Sequence, residues 1–162
     1  MKKMIRISAL LLALCLLVAC GGSSEPKTYT CGNLTMEIPS YMRDVSGQSD
    51  FANFNFALDS TKLAIFGLNE TFADYPVLED YDTLGYAELV ISGYSLNSTA
   101  QERTGKGYHY VVYNAETDMG EFTYIAGIFR NDAGFWMIQI CGPASDFDQE
   151  ANLTWLDTVK LS

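Results

Sequence analysis

The chain has 162 residues, with 20 Asp and Glu against 10 Lys and Arg, and a formal net charge of −10 at pH 7. That balance disfavours nucleic-acid binding, whose affinity comes chiefly from Lys and Arg releasing counterions, and an anionic membrane surface would repel it. A content of 48% hydrophobic and 13% aromatic residues is that of a chain that folds rather than one that stays disordered.

Lys2, Lys3 and Arg6 precede an apolar run from Ala9 to Val18. The run is too short to span a bilayer, and its basic flank and small-residue end are those of a secretory signal. It closes on Leu17-Val18-Ala19-Cys20, a lipobox, and the whole segment resembles the precursors of bacterial lipoproteins. The resemblance implies that Cys20 receives a thioether-linked diacylglycerol, that residues 1–19 are removed as a signal peptide, and that the remainder is extracytoplasmic and anchored to a membrane. Two acyl chains suit that role, since each buried methylene contributes about 0.8 kcal/mol and a single chain attaches only marginally. The alternative is an ordinary secretory signal cut at Ala19, with Cys20 incidental; Cys15 leaves with the signal in either case. Removing Lys2, Lys3 and Arg6 takes the net charge from −10 to −13. Such acidity supports solubility or attraction to cations and basic partners, and a solvated acidic surface is its simplest reading.

Residues 20–28, with Gly21, Gly22, Ser23, Ser24 and Pro26, read as a flexible tether, and residues 29–162 as a single domain. About 140 residues suffice to bury a core without metal or dense disulfides. Leu34, Met36 and Ile38 alternate with Thr35 and Glu37 up to Pro39, a half-buried strand. A polar loop from Arg43 to Asp50 leads to Phe54, Phe56 and Leu58, alternating with Asn53 and Asn55, and Asp59-Ser60-Thr61 supplies a turn. Lys62 to Leu68 returns as a central strand, because Leu63, Ala64, Ile65 and Phe66 are apolar on both parities. Asn69 to Asp82 reads as a loop. Leu84, Ala87, Ile91 and Tyr94 then recur at helical spacing behind Asp82 or Thr83 as cap, with Gly85 and Gly93 lowering intrinsic helicity.

From Ser98 onward a meander is expected: Tyr108 to Tyr113, a turn over Asn114 to Asp118, Phe122 to Arg130, a turn over Asn131 to Gly134, and Phe135 to Cys141. A last helix starts at Ser145, with Asp148 three residues on, and carries a stripe of Phe147, Ala151, Trp155 and Val159 flanked by Leu156. The order predicts an α+β fold, a central antiparallel sheet flanked by helices.

Two segments, Leu34-Thr35-Met36-Glu37-Ile38-Pro39-Ser40-Tyr41 and Trp155-Leu156-Asp157-Thr158-Val159-Lys160-Leu161, resemble the PsbP-like and DcrB-like superfamily. Thr158 and Val159 stand where those proteins usually carry Ser and Ile. The resemblance implies a sheet sandwiched by helices, used by small extracytoplasmic lipoproteins and by proteins that dock on larger assemblies. Both motifs record packing rather than chemistry, so they imply no functional residue.

Chemistry-bearing residues are few. Outside the cytoplasm Cys31 and Cys141 either form a disulfide, closing a loop of roughly 110 residues, or remain buried thiols. His109 is the only histidine, and no Gly-x-Ser-x-Gly motif supplies it with a nucleophile, so it reads as a partly exposed or hydrogen-bonded strand residue. Asp80, Asp82 and Gly85 match the first, third and sixth positions of a calcium loop, but Leu84 and Ile91 stand where oxygen ligands are required. Glu116 and Asp118 sit at an expected hairpin turn, and Gly105-Lys106-Gly107 lacks the spacing of a phosphate loop. The loop Phe72-Ala73-Asp74-Tyr75-Pro76-Val77-Leu78-Glu79-Asp80-Tyr81 remains as the candidate interaction surface, with Phe72, Asp74, Tyr75 and Tyr81 the residues to contact a partner. The competing expectation is that Phe72, Val77 and Leu78 fold under the sheet edge.

These readings lead to a non-enzymatic lipoprotein domain without cofactor or metal, attached to the membrane by its lipid and binding or stabilising an envelope protein. A lipoprotein that binds a small molecule or a cation, associated with transport, is the alternative, and a carboxylate-based hydrolase comes third.

Overall fold

The computed structural model describes residues 25–48, 52–58 and 63–162. The signal segment, Cys20, most of the tether and the Asp59-Ser60-Thr61 turn lie outside the described residues. In chain order the elements are β1 (Lys27–Cys31), β2 (Leu34–Ile38), β3 (Arg43–Asp44), β4 (Phe54–Ala57), β5 (Ala64–Thr71), helix α1 (Thr83–Gly93), β6 (Ala100–Arg103), β7 (Tyr108–Thr117), β8 (Gly120–Asn131), β9 (Gly134–Pro143), helix α2 (Gln149–Leu156) and β10 (Lys160–Leu161). The strands form two antiparallel sheets, one of three strands in the order β1-β2-β10 and one of seven in the order β3-β4-β5-β9-β8-β7-β6, so the fold is α+β.

β9 lies at the middle of the large sheet, and every residue from Gly134 to Gly142 is buried. Its run Phe135-Trp136-Met137-Ile138 is apolar on both parities, which a strand needs when both sheet faces are covered. On one face, Leu34, Met36 and Ile38 of β2 and Leu153 and Leu156 of α2 pack on Ile125, Phe129, Trp136, Ile138 and Ile140. On the other, Tyr86, Ala87 and Val90 of α1 pack on Val111, Ala126, Ile128, Phe135 and Met137. The chain leaves β5, passes over β9, β8 and β7 as α1, and rejoins the sheet at its far edge as β6. The indole N–H of Trp136 donates to Asn33 Oδ1 at 2.8 Å and ties the β1–β2 turn to the large sheet.

Close approaches set two glycine positions. Gly67 faces the Phe54 ring, which a methyl group at that position would overlap. A Cβ on Gly127 would lie 2.9 Å from Leu156 Cδ1, so this glycine lets α2 rest on the sheet.

Several elements differ from the sequence expectation. The first strand begins at Lys27, inside the segment read as tether, with Lys27 and Thr28 opposite Ile38 and Glu37. β5 continues to Thr71 and β7 to Thr117. Polar residues hold the ladder there: Thr123 Oγ1 donates to Asn114 Oδ1 at 2.9 Å, and Asn114 Nδ2 to Glu121 Oε1 at 3.2 Å. The last helix is capped by Asp148, which accepts from the Ala151 N–H at 3.0 Å, while Ser145 lies in a preceding 3-10 turn. The buried residues of this helix are Asn152, Leu153 and Leu156, while Ala151 is exposed and Trp155 half-buried.

Candidate functional site

The loop between β5 and α1 is built from short-range polar contacts over an aromatic base. Thr71 Oγ1 donates to Asp74 Oδ2 at 2.6 Å and accepts from the Asp74 N–H at 3.1 Å, which turns the chain as the strand ends. Pro76–Asp80 follows as one 3-10 segment, with proline in the first turn, where its missing N–H costs nothing. Phe72 stands edge-on to Phe135 with centroids 5.8 Å apart, and the Arg130 guanidinium lies 5.0 Å from the Phe72 centroid. Arg130 also donates to the Glu79 carbonyl at 3.2 Å, so the loop is held from both ends.

The four loop residues expected to contact a partner therefore separate. Phe72 and Tyr81 pack against the core beneath α1, as does buried Leu78. Asp74 and Tyr75 face outward with Val77, Tyr75 being 51% and Val77 67% exposed. Val77 thus departs from the expectation that it folds under the sheet.

Asp82 caps helix α1, its carboxylate accepting from the Gly85 N–H at 2.8 Å. The sole histidine belongs to this junction, with His109 Nδ1 2.8 Å from Thr83 Oγ1. Between α1, β5, β9 and Leu78 lies a hollow of about 180 Å³ lined by Leu68, Glu70, Leu78, Tyr86, Leu89, Val90, Tyr94 and Met137. Tyr86 stacks on Phe135 at 4.3 Å between centroids and donates its hydroxyl to Glu70 Oε2. Burial, followed by the Glu70 hydrogen bond and charge, pushes the Tyr86 phenol far above its ordinary range, so it remains a donor. Neither residue stands out in the sequence. Glu70 falls in a stretch read as loop, although its parity with Phe66 and Leu68 continues the strand and places it on the α1 face.

A second hollow of about 260 Å³, floored by Ala64, Phe122, Tyr124 and Cys141, occupies the end of this face that α1 leaves open. Cys141 shares the parity of Phe135 and Met137, whereas Cys31 packs with the core on the opposite face. Both are free thiols in this structure, Cys141 buried and Cys31 half-buried. Burial pushes the Cys141 thiol up to about 11, which keeps it protonated and unreactive at neutral pH.

The other candidates have local roles or positions in the fold. The Asp82 carboxylate is occupied by its cap, Glu116 is exposed near the β7–β8 turn, and Gly105 and Gly107 take positive φ in the β6–β7 turn. Among the described residues no cluster of three His, Cys, Asp or Glu is placed to hold a metal ion, and no helix is long and apolar enough to cross a membrane. No protein-family model matches the chain. No curated protein matches it either.

Proposed function

We propose that this chain is an extracytoplasmic lipoprotein, held at a membrane by lipid on Cys20, whose domain is a non-enzymatic docking module for another envelope protein. One observation carries the docking reading. Among the described residues, five of the seven exposed large apolar side chains, Tyr75, Val77, Leu84, Leu89 and Tyr94, belong to the loop and helix, with its C-terminal cap, that cover one face of the large sheet. Solitary exposed apolar residues need no explanation, but their concentration on one layer, with two tyrosines, is the composition of an interaction surface. The lipobox supports the anchor, and a helix on each face of the sheet supports the PsbP-like sandwich as an architecture only.

The test is in-cell crosslinking of the intact lipoprotein followed by capture, beside a variant carrying Tyr75→Ser, Leu89→Ser and Tyr94→Ser. A specific envelope protein is expected with the natural chain and lost with the variant; recovery of none, or equal recovery with both, overturns the docking reading. For the anchor, Cys20→Ala is expected to move the protein from the membrane to the soluble fraction, and retention in the membrane overturns lipid attachment. The alternative of a small-molecule or cation binder is favoured by the acidic group in the hollow under α1.

A further inference from the structure

The hollow beneath α1 combines a carboxylate with an apolar and aromatic lining. Glu70 enters it from β5, in register with Phe135 of β9. The Tyr86 hydroxyl takes one lone-pair site on Oε2, which leaves the rest of the carboxylate's acceptor capacity open. None of the ion pairs among the described residues involves Glu70. Arg130, on the same face beyond Phe135, is committed to the Glu79 carbonyl and to the Phe72 and Phe135 rings.

The surroundings decide what kind of cation suits this carboxylate. A hard metal ion requires several oxygen ligands, and here a single carboxylate stands among Leu68, Leu78, Leu89, Val90 and Met137. An organic ammonium matches both parts of the lining: its charge meets Glu70, its carbon substituents meet the leucines and methionine, and tyrosine faces attract a cation that has shed water. A volume of about 180 Å³ holds the head of a small amine and is too small for a nucleotide or a sugar chain.

We infer that the hollow between β5 and α1 binds a small organic ammonium ion, with Glu70 as its counter-charge, Tyr86 positioning that carboxylate and Tyr94 forming the rim. The inference rests on reading the domain as a binding module, but not on the identity of its protein partner or on the lipid anchor.

The experiment titrates the full-length protein, solubilised in dodecylmaltoside, with choline and with butylammonium, following thermal unfolding and titration calorimetry. The uncharged carbon isostere of choline, dimethylbutanol, is the control. A saturable rise in Tm with an ammonium and none with dimethylbutanol is expected. Glu70→Gln still accepts from Tyr86 but lacks the charge, and is expected to weaken ammonium binding by about ten- to a hundredfold. Tyr94→Ala removes a ring that is 65% exposed, so it tests the rim without disturbing the core, and is expected to weaken binding severalfold. No saturable response to either ammonium, an equal response to dimethylbutanol, or natural affinity in both variants overturns the site. Crosslinking to an envelope protein is read separately in cells, so either result can fail without the other.

Discussion

The Tyr108 hydroxyl donates to Asp157 Oδ1 across 2.9 Å, fastening the residue that ends helix α2 to the penultimate strand of the large sheet. Arg103 completes the junction, donating to both carboxylate oxygens of Asp157 at 3.2 and 3.0 Å and to Glu150 at 2.7 Å. Burial works to raise the Asp157 pKa, but the Arg103 and Tyr108 hydrogen bonds and the Arg103 and Lys106 charges outweigh it, and the carboxyl sits below its ordinary range.

Because the folded-state value lies below the unfolded one, the contribution of Asp157 to stability is complete above the ordinary carboxylate range and fades as pH falls through the folded value. Asp157→Asn is therefore expected to cost about 1–3 kcal/mol at neutral pH, the range for a charge-assisted hydrogen bond left without its partner. In acid the difference from the natural chain should shrink. Urea unfolding of both proteins at neutral and acid pH checks this, and an undiminished difference in acid would contradict the assigned cause.

Alternation and turn residues foretell β2, β4, β5, β7, β8 and β9, because a half-buried strand writes its pleat directly as apolar residues at every second position, whereas β3, β6 and β10 are only two to four residues long and carry no such pattern. Strand ends are less legible. Asn114 to Thr117 look like a turn in isolation and stay in the ladder through cross-strand bonds to Glu121 and Thr123, partners that only the folded register brings together. Glu70 is silent in the sequence for the same reason: a single acidic residue at the end of a strand carries no signal until Tyr86, sixteen residues on, is packed against it. The loop from Phe72 to Tyr81 is legible as aromatic and acidic, but which of its rings turn inward depends on Phe135 and Arg130 of distant strands.

Gly67→Ala should destabilise the domain more than its single methyl group suggests. The added carbon meets the Phe54 ring, which is fully buried and packs against Trp136 at 6.0 Å between centroids. A cost of about 1–3 kcal/mol is expected from overpacking, over and above any effect of alanine on the unfolded chain. Gly127→Ala offers a milder comparison, because the nearest atom it meets is the end of the Leu156 side chain. Chemical denaturation of the two variants is expected to rank Gly67→Ala as the less stable, and the reverse order would contradict the packing described for Phe54.

The start of α2 can be checked by substitution at its two candidate caps. Asp148 accepts from the Ala151 N–H at 3.0 Å, so Asp148→Ala is expected to cost about 1 kcal/mol. Ser145 is exposed and lies outside the helix, and Ser145→Ala should leave stability within about 0.5 kcal/mol of the natural chain. A larger loss from Ser145→Ala than from Asp148→Ala would restore the earlier helix start that the sequence suggested.

The two thiols should differ in reactivity. Cys141 is 8% exposed on the central strand and burial holds its thiol up at about 11, so little thiolate forms near neutral pH and access is limited. Cys31 lies in the outermost strand of the small sheet and is half-buried. Brief treatment of the folded protein with iodoacetamide is therefore expected to modify Cys31 first, and modification of Cys141 should wait for denaturant or for transient opening of the sheet. Peptide mapping gives the order, and the same samples report the oxidation state. Modification of neither residue in denaturant until a reductant is added would show that the two are bridged, which would require the first strand and β9 to meet on one face of the large sheet.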